Sequence, residues 1–235
     1  MSQALETAES IDGYRAACAA SPLNAAAREG QRYVPTFLDP PLLKKLYKCM
    51  FEVPITQTMN VVVLDPTAEN GYPHTRANSL ICMPTSVVES SSPEELRETL
   101  CHEAIHVHQR RNPELWKSIC VKEGWTSVAA ERLPREFVER CRLNPDTLQQ
   151  RFWGWQSHYV PMPLFIREDQ PTMGEVQIKW LDTRYSTLFT DPPPSFAKRY
   201  GTPSQPEHPF ELLAVEGAAA RVYTDDLLHA NLNSF

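Results

Sequence analysis

Nothing in this chain constrains its fold as much as the stretch from Ser92 to Arg111. It is punctuated at both ends. Ser92 suits a helix N-cap, Pro93 the first helical position, and Glu95 completes a capping box. Glu94 and Glu95 favour the positive end of the helix dipole. Asn112-Pro113 stops the helix near Arg111, and Leu96, Leu100, Ile105 and Val107 supply its apolar positions. At mid-helix stand His102, Glu103, Ala104, Ile105 and His106. Positions i and i+4 lie about 40° apart around a helix, so both imidazoles leave one face a turn apart. A tetrahedral Zn²⁺ at about 2.0–2.1 Å from each nitrogen can bridge them. Glu103 can take a proton from a water activated there and pass it to a leaving amine. Such a helix is a rigid platform for a metal.

Other residues share or border that face. Glu98, at i−4 from His102, and Gln109, at i+3 from His106, can each orient a ligand imidazole; the alternative for each is a solvated helix residue. His108 is off the ligand face. Cys101 points about 100° away from His102 and reads as a packing residue.

A catalytic zinc takes three protein ligands and keeps the fourth position for water. An extension of the motif by x-x-G-x-x-H would supply the third. Here Val107, His108, Gln109, Arg110, Arg111 and Asn112 follow, so the third ligand belongs to another element. One candidate is Glu211, on a helix expected from Pro209 to about Tyr223, sharing a face with Ala214, Val215 and Ala218. Small residues beside a ligand let two helix backbones approach closely. The other is Glu123, in Lys122-Glu123-Gly124-Trp125, and His208 is a further possibility.

With these residues the chain resembles the gluzincin group of zinc metallopeptidases. There the two histidines of H-E-x-x-H and a glutamate from a later helix hold the zinc. Glu211 matches the glutamate-x-x-alanine third-ligand helix of several of these families. Glu123-Gly124-Trp125 is similar to the E-G-aromatic segment of the aminopeptidase branch. Its 16-residue gap from His106 is shorter than that branch has, and Thr126 replaces the usual alanine. The thermolysin-like E-x-x-x-D pattern is not met, since Val215 stands where the aspartate would be. Leu100, His102 to His106, Gln109-Arg110, Asn144-Pro145-Asp146-Thr147 and His208-Pro209-Phe210-Glu211 together resemble uncharacterised proteins classed as metallopeptidases by sequence, some from large DNA viruses. The resemblance covers roughly residues 75 to 220 and implies a peptide or protein substrate. It implies Zn²⁺ on His102, His106 and Glu211, with Glu103 as general base. A Tyr-Gly pair before the third-ligand helix makes Tyr200 the expected oxyanion stabiliser, with Tyr159 and Tyr185 as rivals. A catalytically inactive, zinc-stabilised module that binds protein in the same groove is the competing reading.

Composition excludes other classes. A net charge of −6 gives no basic footprint for nucleic acid. The longest apolar run, Val61 to Leu64, is far shorter than a membrane span needs. Residues 1 to 20 carry Glu6, Glu9 and Asp12 and no apolar core of a signal peptide. Six dispersed cysteines without a C-x-x-C pair read as reduced thiols, and the expected location is cytoplasmic. Nothing indicates oligomeric state.

The expected fold is α+β and zincin-like: a small mixed or antiparallel sheet with an edge strand over the motif helix, then a mainly helical second part. Residues 1–35 form an N-terminal helical or loose segment, 36–223 the metallopeptidase domain and 224–235 a tail. Asp39 caps a helix from Pro40 to about Met50 with Leu42, Leu43, Leu46 and Tyr47 facing the core. Thr58 to Leu64 and Arg76 to Pro84 read as strands, the latter a possible edge for an extended peptide. Helices follow near 113–122 and 134–141. Asn144 starts a turn, Trp153, Trp155, His158 and Tyr159 cluster, and 159–167 and 175–181 pair as a hairpin. Prolines between Pro161 and Pro209 imply stiff loops and few helices.

Overall fold

The computed structural model describes residues 3–203, 206–224 and 228. In chain order its helices are α1 (Gln3–Asp12), α2 (Tyr14–Ala20), α3 (Pro22–Ala27), α4 (Pro40–Glu52), α5 (Thr85–Ser90), α6 (Pro93–Arg111), α7 (Pro113–Lys122), α8 (Arg135–Arg140), α9 (Pro194–Tyr200) and α10 (Pro209–Ala219). Its strands are β1 (Asn60–Leu64), β2 (His74–Arg76), β3 (Leu80–Pro84), β4 (Trp125–Ser127), β5 (Trp153–Trp155), β6 (Tyr159–Phe165), β7 (Val176–Asp182) and β8 (Thr187–Phe189). The fold is α+β. The chain forms two compact units, one of Met1–Ala16, Gly30–Pro113 and Leu213–Phe235, the other of Ala17–Glu29 and Glu114–Leu212. Most of the expected tail at 224–235 lies outside the described residues.

The first unit is built on a three-stranded mixed sheet in the order β1-β3-β2, with β3 parallel to β1 and antiparallel to β2. The strand expected over Arg76 to Pro84 is therefore a hairpin. Its three-residue turn, 77–79, holds Asn78 and Ser79 at positive φ (59° and 56°). The strand leading towards α6 is β3, which is internal and wholly buried, so the expectation that it forms an edge is corrected. The edge role falls to β2, whose Thr75 carbonyl accepts a hydrogen bond from Arg110 of α6 at 3.2 Å.

A buried ion pair ties α1 to this edge. The Arg76 side chain is fully buried and lies over the rings of Tyr14 and Tyr33. It donates through Nε to Asp12 at 2.9 Å, through its terminal nitrogens to Asp12 at 2.5 Å and Glu9 at 2.6 Å, and to the Tyr33 hydroxyl at 3.1 Å. Burial alone would raise the Asp12 carboxyl. The guanidinium and the amides of Ala77 and Tyr14 outweigh it and hold Asp12 below its ordinary value.

Helix α4 starts as its sequence dictates, with Asp39 accepting from the Leu42 amide at 2.9 Å. Its inner face differs from expectation. Leu46 and Cys49 are buried, while Leu43 and Tyr47 are 38% and 61% exposed and Phe51 is 77% exposed. The core stripe is shifted by about one position round the helix, because Cys49 packs inward where Tyr47 was expected to.

The second unit is not mainly helical, which corrects that expectation. It carries the larger sheet, a five-stranded antiparallel meander in the order β4-β5-β6-β7-β8. The hairpin expected from residues 159 to 181 is its centre, with Val160 opposite Leu181 and Pro161 opposite Trp180. Pro161 and Pro163 lack amide protons, and a central strand tolerates them only where no ladder bond is needed. Strand β5 pairs with β6 only at Trp155–Tyr159. Beyond that point Arg142 donates its backbone amide to the Pro163 carbonyl at 2.8 Å. One face of the sheet packs Val160, Met162, Leu164 and Leu181 with Leu133, Cys141 and Phe152. Trp125, Trp155 and Trp180 pack round Phe196 of α9, so the tryptophan cluster is core.

Candidate metal centre

Helix α6 forms for the reasons its sequence supplies. The Ser92 hydroxyl accepts from the Glu95 amide at 3.3 Å and the Glu95 carboxylate from the Ser92 amide at 2.7 Å. From Leu100 to Val107 every residue is buried except half-buried His102, so Glu103 and His106 sit where the helix is packed on all sides.

The two imidazoles leave α6 side by side. Their Nε2 atoms are 3.0 Å apart and the rings meet at 76°. Two nitrogens bound to one tetrahedral zinc lie about 3.3 Å apart. His106 is 1% exposed, and its Nδ1 bonds to the Gln109 side-chain oxygen at 2.7 Å. That bond places a proton on Nδ1 and leaves a lone pair on Nε2, the state a ligand requires. Gln109 thus holds the His106 ring, one of the two contacts its spacing allowed. Glu98, the other candidate for that role, is exposed.

Glu211 lies in the first turn of α10. Most of α10, from Leu213 on, belongs with α6 in the first unit, where Gly217 faces Ile105. A β-carbon built on Gly217 would lie 2.5 Å from the Ile105 Cδ1, so only glycine permits this approach without a shift. His102, His106 and Glu211 each offer a ligand atom, all within 4.8 Å of one another. Ala214 is buried; Gly217 was not singled out in the sequence.

Glu211 is 1% exposed and accepts from the Asn144 amide nitrogen at 2.7 Å. A neutral amide steadies the carboxylate without cancelling its charge. Nearby, Glu207 pairs with Arg142 at 2.8 Å. Burial pushes the Glu207 carboxyl up; Arg142 pulls it down and Glu211 adds to the rise. Arg142 thus offsets the second carboxyl beside Glu211.

The rival ligands are engaged elsewhere. Glu123 is paired with Arg199 at 2.8 Å. His208 caps α10: its Nδ1 accepts from the Phe210 amide at 3.1 Å and its Nε2 donates to the Gln150 carbonyl at 2.7 Å. With both ring nitrogens committed to backbone, His208 is a capping residue. Tyr200 sits in the aromatic core of the second unit, its hydroxyl accepting from the Trp125 indole at 3.1 Å. Tyr159 receives Arg184 on its hydroxyl at 3.1 Å, and Tyr185 is 74% exposed. The Cys101 thiol is directed to the Val222 carbonyl at 3.2 Å, in keeping with packing.

The chain matches no family model, no curated protein and no solved structure. The site is therefore read from its own residues. Two imidazoles and one carboxylate make a group that could hold a metal ion.

Proposed function

We propose that this protein is a zinc-dependent metallopeptidase of zincin-like architecture, acting on peptide or protein substrates. The observation that carries the reading is the convergence of His102, His106 and Glu211 within 4.8 Å from two separate helices. Those three residues would hold the zinc. When bound, it supplies Lewis acidity to a substrate carbonyl and to a water. Glu103, adjacent to the first ligand and 4% exposed, accepts the proton of the attacking water and delivers it to the departing amine. Its buried setting strengthens each electrostatic interaction it makes. Gln109 and Asn144 keep His106 and Glu211 in their ligating orientations. Tyr200 is the proposed oxyanion stabiliser, and to act its hydroxyl proton must leave Glu123 Oε2, 3.5 Å away. No described helix is long and apolar enough to cross a membrane. Six buried free thiols suit a reducing, cytoplasmic setting.

The test compares the wild type with Glu103→Gln, both purified without added metal, for zinc content and for cleavage of a peptide library. The expected result is about one zinc per chain in both proteins and cleavage reduced about 10²–10⁴-fold in the variant. A wild type without zinc refutes the metal centre. Zinc in both with cleavage by neither favours the binding module.

A further inference from the structure

We infer that the turn from Asn144 to Gln150 is a clamp that sets the metal centre, and that Asn144 is its positioning residue. The inference rests on the proposed zinc site. This turn grips the first turn of α10 from both of its own ends. At its start, Asn144 donates to Glu211 Oε1 at 2.7 Å. At its end, the Gln150 carbonyl receives His208, the residue that caps α10 through the Phe210 amide. Glu211 is thus fixed both at its carboxylate and at the helix end that carries it.

The Asn144 amide has its orientation set by two bonds. Its side-chain oxygen accepts from the Asp146 amide at 2.9 Å, so its nitrogen faces the carboxylate. Pro145 holds Asn144 extended, at φ −105° and ψ 124°, which presents the side chain outward from the turn's start. The backbone just before it is held as well. The Leu143 amide donates to Asn24 at 2.8 Å, the Leu143 carbonyl accepts from Arg28 at 2.8 Å, and Arg142 is bonded to Pro163. A donor on so rigid a support holds Oε1 and so fixes the carboxylate that would ligate the cation. Groups outside the ligand set typically change metal affinity about 10–100-fold when removed.

Asn144→Ser separates clamp from cap. A serine hydroxyl can still accept from the Asp146 amide, but it is too short to reach Glu211. The measurement is Zn²⁺ affinity by competition with a chromophoric chelator, alongside the melting temperature of both proteins in excess chelator. The expected result is a 10–100-fold weaker affinity with metal-free melting within a few degrees of the wild type. Unchanged affinity overturns the clamp while leaving the zinc site standing. A wild type that takes up no zinc overturns both. If the serine variant does not fold, Asn144→Thr retains the same acceptor and is read by the same two outcomes.

Discussion

Replacing Arg76 with methionine tests the electrostatic account of the first unit. The guanidinium is fully buried, and its chief partner, Asp12, has a side chain only 2% exposed. Breaking such a pair from one side costs about 3–5 kcal/mol, because a buried charge is left uncompensated. Asp12 keeps two backbone donors, Ala77 at 2.8 Å and Tyr14 at 3.1 Å, so the lower end applies, about 3 kcal/mol at neutral pH. That corresponds to roughly 6–12 °C in melting temperature for a chain of this size. The pH dependence discriminates further. In the wild type Asp12 and Glu9 are held below their ordinary values. Their stabilisation is complete above the ordinary carboxylate range and is lost as pH falls through the lowered folded values. In Arg76→Met, Asp12 is buried without its cation and its pKa rises, so acid protonates it in the folded state and relieves the variant. The stability gap narrows by about 1.4 kcal/mol for each unit by which the pKa moves. The probe must report on the correct unit. All five tryptophans lie between Trp116 and Trp180, in the second unit, so fluorescence is the wrong readout. Hydrogen exchange in peptides spanning β2 and β3, at pH 7 and pH 4 and corrected for intrinsic exchange, is the right one. A loss below about 1 kcal/mol, or a gap that does not change with pH, refutes the reasoning.

Three further outcomes are expected. Stripping zinc with a chelator lowers the melting temperature by roughly 5–10 °C relative to protein in zinc at about a hundred times its dissociation constant, read by calorimetry. Gly217→Val forces its side chain onto Ile105 and costs about 1–3 kcal/mol in denaturant melts, and Ile105→Ala in the same chain recovers part of that loss. Phe51→Lys, on the exposed face of α4, changes stability by no more than about 0.5 kcal/mol in the same melts.

The parts of this fold that were legible in the sequence are those with local punctuation. Helix α6 carries a capping box and a proline at each end, and α4 has Asp39 before two prolines; both begin where expected. His102, His106 and Gln109 follow from one period of one helix. Glu211 was one of several candidates in the sequence, and its convergence with the histidines depends on the packing of α10, which no local pattern encodes. Two hairpins escaped notice because their turns lack the usual glycine. Asn78-Ser79 and Gln156-Ser157 occupy positive φ without one. The second sheet was obscured because β4, β5 and β8, the strands that flank the expected hairpin, are only three residues each. Asn144 was visible as the start of a turn, but its bond to Glu211 spans 67 residues. His208 resembled a ligand because a histidine before a helix shows its chemistry and not its partners.

The order in which the ribosome releases this chain gives the split first unit a kinetic meaning. Helix α6 emerges early, with Glu103 and His106 already in place, yet Leu213 and the residues after it come off only once the whole meander has been made. On the proposed function, a nascent chain that stops short of α10 lacks Glu211 and should be unable to retain metal, so hydrolytic capacity would arise only in polypeptides that have been read through.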